Sequence, residues 1–472
     1  MDETQETTKN AWRHLAAMAV SIAVVGVVCI LPTPASAVAL YVDACMGNDA
    51  GGTNNCQNQA TPCLTLARAK VELAAAVASI DESHSINATS GCTDGGCGLF
   101  CASPVEFTEQ LELGAAHTEN NASYPTFIQA WQSTGMERPV INCQSVRNSG
   151  IKVGVNPGDA ATYIYITDID IHNCNSAGIS VLPNSNFGRI EKVYSYSSTH
   201  GAAVDGATAW FINANQFYSN SGNGLLMGSG ATNADINGNW LYGNGGNGVR
   251  INATGTGNDV TNNWITNNTS DGMYILANST DVVNNSFYAN ATGSAAAEIR
   301  IGNGADFLQD TTLYNNILDI STDDFGIYVA VNANTNFTSN YNDLFLNGSA
   351  NTGYWTGTTC PTLINWRSPA CTSGDDINSI NADPDWTSEG NSAAINSTSP
   401  AVNTGTDASA WTSIDITEDV RPIGAGWEMG ADERYGPTEG PGIPEFSLVT
   451  LVIAFGLGLG TFGFVRYRGT HK

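Results

Sequence analysis

Apolar and polar positions in the middle of the chain return with a fixed period. Glycines stand at Gly178, Gly201, Gly224, Gly248 and Gly272, and Ser294, directly after Gly293, takes the sixth equivalent place, at spacings of 23, 23, 24, 24 and 22 residues. Seven residues before these markers runs an apolar column of Phe217, Leu241, Ile265 and Phe287, joined upstream by Ile171. Twelve before them runs a second, Ile166, Ile212, Ile236, Val260 and Val282, and a third follows the marker as Ile179/Val181, Leu225/Met227, Val249/Ile251 and Met273/Ile275. Three short alternating strands per repeat, with no helix-length apolar pattern, predict an all-β parallel β-helix of 22–24 residues per coil, its coils stacked at about 4.8 Å.

Asparagines keep two columns of their own. Asn215, Asn239, Asn263 and Asn285 lie nine before the last four markers, and Asn220, Asn244, Asn268 and Asn290 lie four before. Stacked amides can hydrogen-bond from coil to coil and satisfy turn groups that would otherwise be unpaired. A leucine-rich repeat has a similar period, but its L-x-x-L-x-L strand and helical return are missing. The pattern restarts at Asn315-Asn316-Ile317-Leu318, Gly326-Ile327-Tyr328-Val329 and Tyr341-Asn342-Asp343-Leu344-Phe345, which predicts further coils. Open coils leave sheet edges that need cover. Leu66, Ala69, Leu73 and Val77 stand at helical spacing and predict a capping helix at the N-terminal end.

The two ends of the chain read differently. Lys9, Arg13 and His14 precede an apolar run over residues 15–31 and the small-residue site Ala35-Ser36-Ala37, the pattern of a cleaved signal peptide over 1–37. An uncleaved N-terminal anchor is the alternative, and either places the body outside. At the other end a Gly/Pro-rich linker leads to Pro444-Glu445-Phe446, an apolar stretch over 448–465 long enough to span a bilayer, and a basic tail over 466–472 with Arg466, Arg468 and Lys472. The divisions expected are therefore 1–37, a solenoid with its cap over 38–376, a C-terminal module over 377–435, linker and motif over 436–447, span and tail.

Charge narrows the partners. Only 13% of residues are charged and the formal net charge is -27, a field that repels nucleic acid and attracts divalent cations. No basic stripe offsets it. Eleven cysteines fall to ten without Cys29, an even number for an oxidising compartment. Pairing is expected within Cys45, Cys56 and Cys63, within Cys92, Cys97 and Cys101, between Cys143 and Cys174, and between Cys360 and Cys371. Zinc at Cys92/Cys97/Cys101 is the alternative, weakened by the absence of a C-x-x-C pair.

Several stretches resemble the prokaryotic right-handed parallel β-helix repeat proteins of the pectate-lyase-like superfamily. Tyr41-Val42-Asp43 with Gly47-Asn48-Asp49 and Ala60-Thr61-Pro62 is similar to the start of such chains, and Thr126-Phe127-Ile128-Gln129-Ala130-Trp131 with Arg138-Pro139-Val140-Ile141 to their first coils. Asp383-Pro384-Asp385-Trp386, Ser399-Pro400-Ala401-Val402-Asn403-Thr404-Gly405, Arg421-Pro422 and Met429-Gly430-Ala431-Asp432-Glu433 resemble the choice-of-anchor module that precedes varied surface anchors. Pro444-Glu445-Phe446 with its span and tail resembles sorting signals cut by exosortase or archaeosortase peptidases. The resemblance implies a right-handed helix displayed at the cell surface. It leaves the reaction open, because members include lyases, hydrolases, epimerases and adhesive proteins.

Candidate chemistry lies beside the inward column. Positions eight and six before each marker form two outward ladders, Asp170, Gln216, Trp240, Trp264 and Ser286, and His172, Tyr218, Tyr242, Thr266 and Tyr288. In the irregular Gly201 coil, Val193 facing inward would add Lys192 and Tyr194. Exposed Tyr218, Trp240, Tyr242, Trp264 and Tyr288, with Arg250, make a surface on which sugar rings of an extracellular polysaccharide stack. The same ladder could instead stabilise the sheet or lie under a loop. A polysaccharide lyase would need a base and a cation: Asp170, His172, Lys192 and Tyr194 are the catalytic candidates, with Arg250 a further base, and Asp168 with Asp170 the candidates for Ca²⁺. No cofactor is required by any motif. His200-Gly201 and Asp323-Asp324 stand in the wrong order for a polygalacturonase.

Overall fold

The computed structural model describes residues 38–434, apart from 45–47, 50–55, 58, 60–61, 78–82, 90–105, 119–120, 131–137, 157, 253, 291–295, 322–323 and 373. The expected signal peptide, linker, sorting motif, membrane span and tail, and Cys45, Cys92, Cys97 and Cys101, lie outside the described residues. Among the described residues no helix is long and apolar enough to cross a membrane. Helix α1 (Leu66–Val77) forms where the spacing predicts it, with Leu66, Ala69, Leu73 and Ala76 buried, and it packs on the first strands, Ala39–Asp43 and His84–Thr89.

Each coil contributes one strand to each of three parallel sheets. Sheet I has eleven strands from Ala39–Asp43 to Thr338–Asn340, sheet II nine from Val140–Asn142 to Asp343–Leu346, and sheet III eleven from Leu111–Leu113 to Thr358–Cys360. Only the last pair, Asn351–Trp355 with Thr358–Cys360, is antiparallel. The three apolar columns fall one to a sheet. Ile212 pairs with Ile236, Phe217 with Leu241, and Leu225 with Val249, and all of these side chains are fully buried. Each contributes roughly 1.5–3 kcal/mol by leaving water. Disulfides Cys56–Cys63, Cys143–Cys174 and Cys360–Cys371 form, and they mark a protein of an oxidising, extracellular compartment.

The glycine column has a steric cause. A Cβ on Gly248 would stand 2.7 Å from the carbonyl oxygen of Gly272 in the next coil, and one on Gly224 2.8 Å from that of Gly248. Ser294 lies outside the described residues, and register gives the next place of the column to another residue. Met273 pairs with Ile299 and Ile299 with Ile327, so Glu298 takes the place after Gly272 and Gly326 the next. The coil is longer here than the repeat predicts.

Glu298 is fully buried, and burial pushes its carboxyl up to about 8, although hydrogen bonds from Asn290 pull the other way. Its oxygens accept from the Asn290 side chain at 2.7 Å and backbone N–H at 3.2 Å, which ends the Asn220–Asn290 ladder. A folded pKa raised above the unfolded value means that the native state holds the extra proton. Stability from this group is full below pH 4.5 and falls as pH rises from there towards about 8. Glu298→Gln should therefore flatten part of the decline in melting temperature between pH 5 and 8, by several degrees at the upper end, as read by thermal unfolding across that range.

Residues 377–434 run back along the outside of sheet II as a strap. Apart from isolated bridges such as Asp343 with Ile380 and Trp386 with Ile395, they form no strand among the described residues. Trp386, Ala393, Ile395, Ala401, Met429 and Ala431 pack with Trp264 and Ile317 of sheet II into a second apolar cluster, with Trp240 and Tyr288 at its margin. The underside of the strap holds Arg421, fully buried, against Glu433 at 3.3 Å and the Gly430 carbonyl at 2.8 Å. Asn doublets fasten it. The second residue of Asn262-Asn263, Asn284-Asn285 and Asn315-Asn316 joins the inner ladder, and the first donates outward to the Ile414, Glu428 and Thr406 carbonyls respectively.

Trp264 is 1% exposed, with its ring 5.2 Å from that of Trp386. The expected pair of exposed tryptophans is thus corrected: Trp240 and Trp264 are register neighbours, but the strap roofs the second. Trp264→Ala should cost about 3–5 kcal/mol in denaturant unfolding, as a large-to-small change in a packed cluster does. The half-buried Trp240→Ala should cost clearly less.

Candidate functional site: the outer face of sheet II

The strap leaves the N-terminal half of sheet II open. Here the ladder carries a stack of rings: His172 to Tyr196 at 5.0 Å, Tyr196 to Tyr218 at 5.0 Å and Tyr218 to Tyr242 at 4.9 Å, with interplanar angles of 6°, 14° and 1°. The spacing is the coil rise itself. Because each inner ring spends both faces on its neighbours, the tyrosines turn edges and hydroxyls outward. The ladder is a hydrogen-bonding rail rather than a platform of open ring faces. Burial raises the Tyr196, Tyr218 and Tyr242 hydroxyls, Tyr218 to about 12, so the rail remains neutral phenol at physiological pH.

Register in the Gly201 coil differs from expectation. Ser195, not Val193, pairs with Ile171 and Phe217 and points inward. Gly178 lies directly above Ser195, and this crowding suits a small inward side chain. Val193 instead takes the turn position of the Asn ladder, its N–H donating to Asn215 Oδ1 at 2.9 Å. Tyr194 therefore joins the Asp170 column and Tyr196 the His172 column. Lys192 leaves the ladder for the corner, with φ 53°, and its ammonium lies 4.0 Å from Glu418 on the strap.

Beside the rail sits a charged group that the spacing did not reveal. Arg138 Nε lies 2.7 Å from Asp170 Oδ1 as an ionic contact rather than an aligned hydrogen bond. Its guanidinium stands 4.0 Å over the Tyr194 ring, and it donates to the Lys192 carbonyl. Glu106 lies 3.1 Å from His172 Nε2 and accepts from Asn142 at 2.7 Å. Burial raises the Asp170 carboxyl, against the opposing charges of Arg138 and His172. A signal existed for Arg138: Val140, two residues on, pairs with Asp170 and so extends the outward column by one coil. Glu106 lies in a loop outside the repeat and had none.

Other expected site residues separate. Arg250 belongs to sheet III, paired with Leu226 and Tyr274, and cannot serve the sheet II face. Tyr288 stands half-buried at the edge of the strap, while Thr266 and Ser286 are covered. Asp168 sits in a corner at φ 57°, accepting from the Thr167 hydroxyl at 2.8 Å. Asp170 is committed to Arg138, and among the described residues no three His, Cys, Asp or Glu side chains are placed so that they could hold a metal ion. Two carboxylates, one of them ion-paired, do not fit the six to eight oxygens that Ca²⁺ takes.

Comparison with protein families agrees with the architecture. The family model described as "Right handed beta helix region" matches residues 149–318 and 200–365. No curated protein matches the chain. Among solved structures, that of pectate lyase Pel9A is 13% identical, covering 85% of this chain and 98% of its own, with a TM-score of 0.48. The A-module of the Azotobacter vinelandii mannuronan C-5 epimerase AlgE6 is 14% identical over 64% of this chain and 81% of its own, with a TM-score of 0.40. An alginate lyase from Paenibacillus sp. is 13% identical over 60% and 95%, also with a TM-score of 0.40. These identities are too low to carry residue roles across. Three stacked parallel sheets, one strand of each per coil, and the family match agree that the body of this chain is a right-handed parallel β-helix.

Proposed function

We propose that the protein is an exported, surface-anchored β-helix that binds an extracellular polysaccharide along the open half of sheet II. The observation that supports this most directly is the rail: Tyr196, Tyr218 and Tyr242 repeat at ring spacings of 4.9–5.0 Å, close to the length of one sugar in an extended glycan, with Gln216, Trp240 and the Arg138–Asp170 pair beside them. One phenol per sugar gives a linear ligand the same contact at every coil. Anchoring would come from the C-terminal span, or from a surface anchor after cutting at Pro444-Glu445-Phe446 by a sorting peptidase. Residues 377–435 then read as the anchor-proximal module and α1 as the cover of the first coil. With a net charge of -27, nucleic acid is not a partner.

Losing two hydroxyl contacts at about 0.5–1.5 kcal/mol each predicts a weakening of roughly tenfold. On a glycan array, Tyr218→Phe/Tyr242→Phe should therefore lower the signal by that order while leaving the melting temperature nearly unchanged. Equal signals for the variant and the parent, or none for the parent, would leave a structural or adhesive protein as the reading.

The convergence of Arg138, Asp170, His172, Glu106 and Tyr194 favours one second reading, a polysaccharide lyase. In it a base takes the proton beside a uronate carboxylate, the electrons left behind form a carbon–carbon double bond as the glycosidic C–O bond at the next carbon breaks, and the departing oxygen takes up a proton, while Arg138 balances the charge that develops on the carboxylate. This reading expects ultraviolet-absorbing unsaturated sugar from a uronate panel, abolished by His172→Ala and by Arg138→Ala. A silent panel removes it.

A further inference from the structure

Sheet III carries an outward column of a different kind. Register places Arg250, Tyr274, Arg300, Tyr328 and Tyr354 in successive coils. Cations and rings interleave: the Arg250 guanidinium lies 5.2 Å and that of Arg300 6.0 Å from the Tyr274 ring, and Arg300 lies 4.2 Å from Tyr328. Tyr354 stacks on Tyr328 at 4.4 Å and 6°. Burial raises the Tyr328 hydroxyl, Tyr354 beside it raises it further, and the charge of Arg300 pulls it down. Against this column lies a cavity of about 400 Å³, closed on the far side by Gly302, Asn303, Gly304, Ala330 and Val331. Its size falls within the roughly 300–1,000 Å³ of small-ligand sites.

The far wall is braced and slender. Asn303 holds its own loop, accepting from the Ala305 and Asp306 N–H groups at 2.8 and 3.1 Å. Gly302 and Gly304 both have positive φ, at 80° and 83°. A Cβ at Gly302 would come within 2.5 Å of Ala333, whereas one at Gly304 would meet nothing within 4 Å and would stand in open space. Glycine at 302 is thus required by the packing and the positive φ of this wall, and at 304 by its positive φ alone.

Charge in the cleft is balanced. Arg300 Nε pairs with Asp271 at 2.9 Å, Arg250 Nε is held by Asn252 at 2.8 Å, and Asp306 acts on Tyr274 from nearby. A polyanion would meet this neutralised site on a protein of net charge -27. Planar guanidinium donors and phenol hydroxyls without surplus charge suit the vicinal hydroxyls of an uncharged sugar. We infer that the sheet III cleft lined by Tyr274, Arg300, Tyr328 and Tyr354 binds a short stretch of neutral glycan, a second site on the opposite register column from the rail. It rests on the glycan-binding reading above and adds to it a place and a sugar class.

Titration calorimetry of the full chain with cellotetraose, xylotetraose, mannotetraose and tetragalacturonate tests it. The sheet II variant Tyr218→Phe/Tyr242→Phe should still bind at least one neutral tetrasaccharide, and tetragalacturonate at least tenfold more weakly. Adding Tyr328→Phe/Tyr354→Phe to that background should weaken the neutral ligand about tenfold or more. If no neutral tetrasaccharide binds the parent, or the uronate binds best, the inference is wrong. If the sheet II variant alone abolishes binding, the cleft falls and the rail stands. If sheet III changes alone abolish it, the cleft stands and the rail falls. If neither pair matters, both fall.

Discussion

Buried asparagine amides set the register on which everything else depends. In the turn between sheets I and II, Asn215, Asn239, Asn263, Asn285, Asn316 and Asn342 donate each to the next at 2.9–3.1 Å, and the series ends on Asp376 at 3.0 Å. The same side chains donate to a strand carbonyl, as Asn239 does to Ile212 at 2.8 Å, while their oxygens accept a backbone N–H. Slipping one coil by a residue would leave several buried polar groups unpaired at once, each at about 1–3 kcal/mol. Apolar burial drives the collapse, but this network fixes which residue lies over which.

Fixed register turns sequence repetition into surface repetition. A residue type that recurs at one position of the repeat becomes a straight row along the solenoid axis, with the coil rise as its spacing. That is how three tyrosines and a histidine become a continuous ring stack on sheet II, and how arginine and tyrosine alternate on sheet III. The same logic limits the chemistry. Rings stacked on one another have spent their faces, so recognition passes to edges and hydroxyls.

The strap divides sheet II into a covered and an open part. Its cover over Trp264, Ser286 and Ile317 is held by the outward asparagines of the doublets and by Arg421 buried among Asp415, Glu428, Asp432 and Glu433. Burial pushes the Glu428 carboxyl up to about 9 and Asp432 to about 7, because one guanidinium faces four carboxyl groups away from water. The Arg-Pro and Met-Gly-Ala-Asp-Glu motifs of the sequence thus meet in one buried ionic knot.

The sequence by itself determined the coil, its three inward columns and its two asparagine ladders, because each depends on local alternation and on a period that only stacking satisfies. It also identified the sheet II columns that face outward. Tertiary structure decided which outward residues are free. Trp264 is covered by residues far along the chain, and no local pattern announces a roof. A turn one residue shorter between Ser195 and Gly201 moved Lys192 off the ladder and brought in Tyr196, and a longer coil put Glu298 where Ser294 was expected, since changes of length are absorbed in turns that the repeat does not fix. Arg138 came from the edge of the first sheet II coil, where extending the column would have found it, whereas Glu106 reached the rail from outside the repeat and Arg250 went to another sheet, because proximity between distant segments is set by how the coils close and not by spacing along the chain.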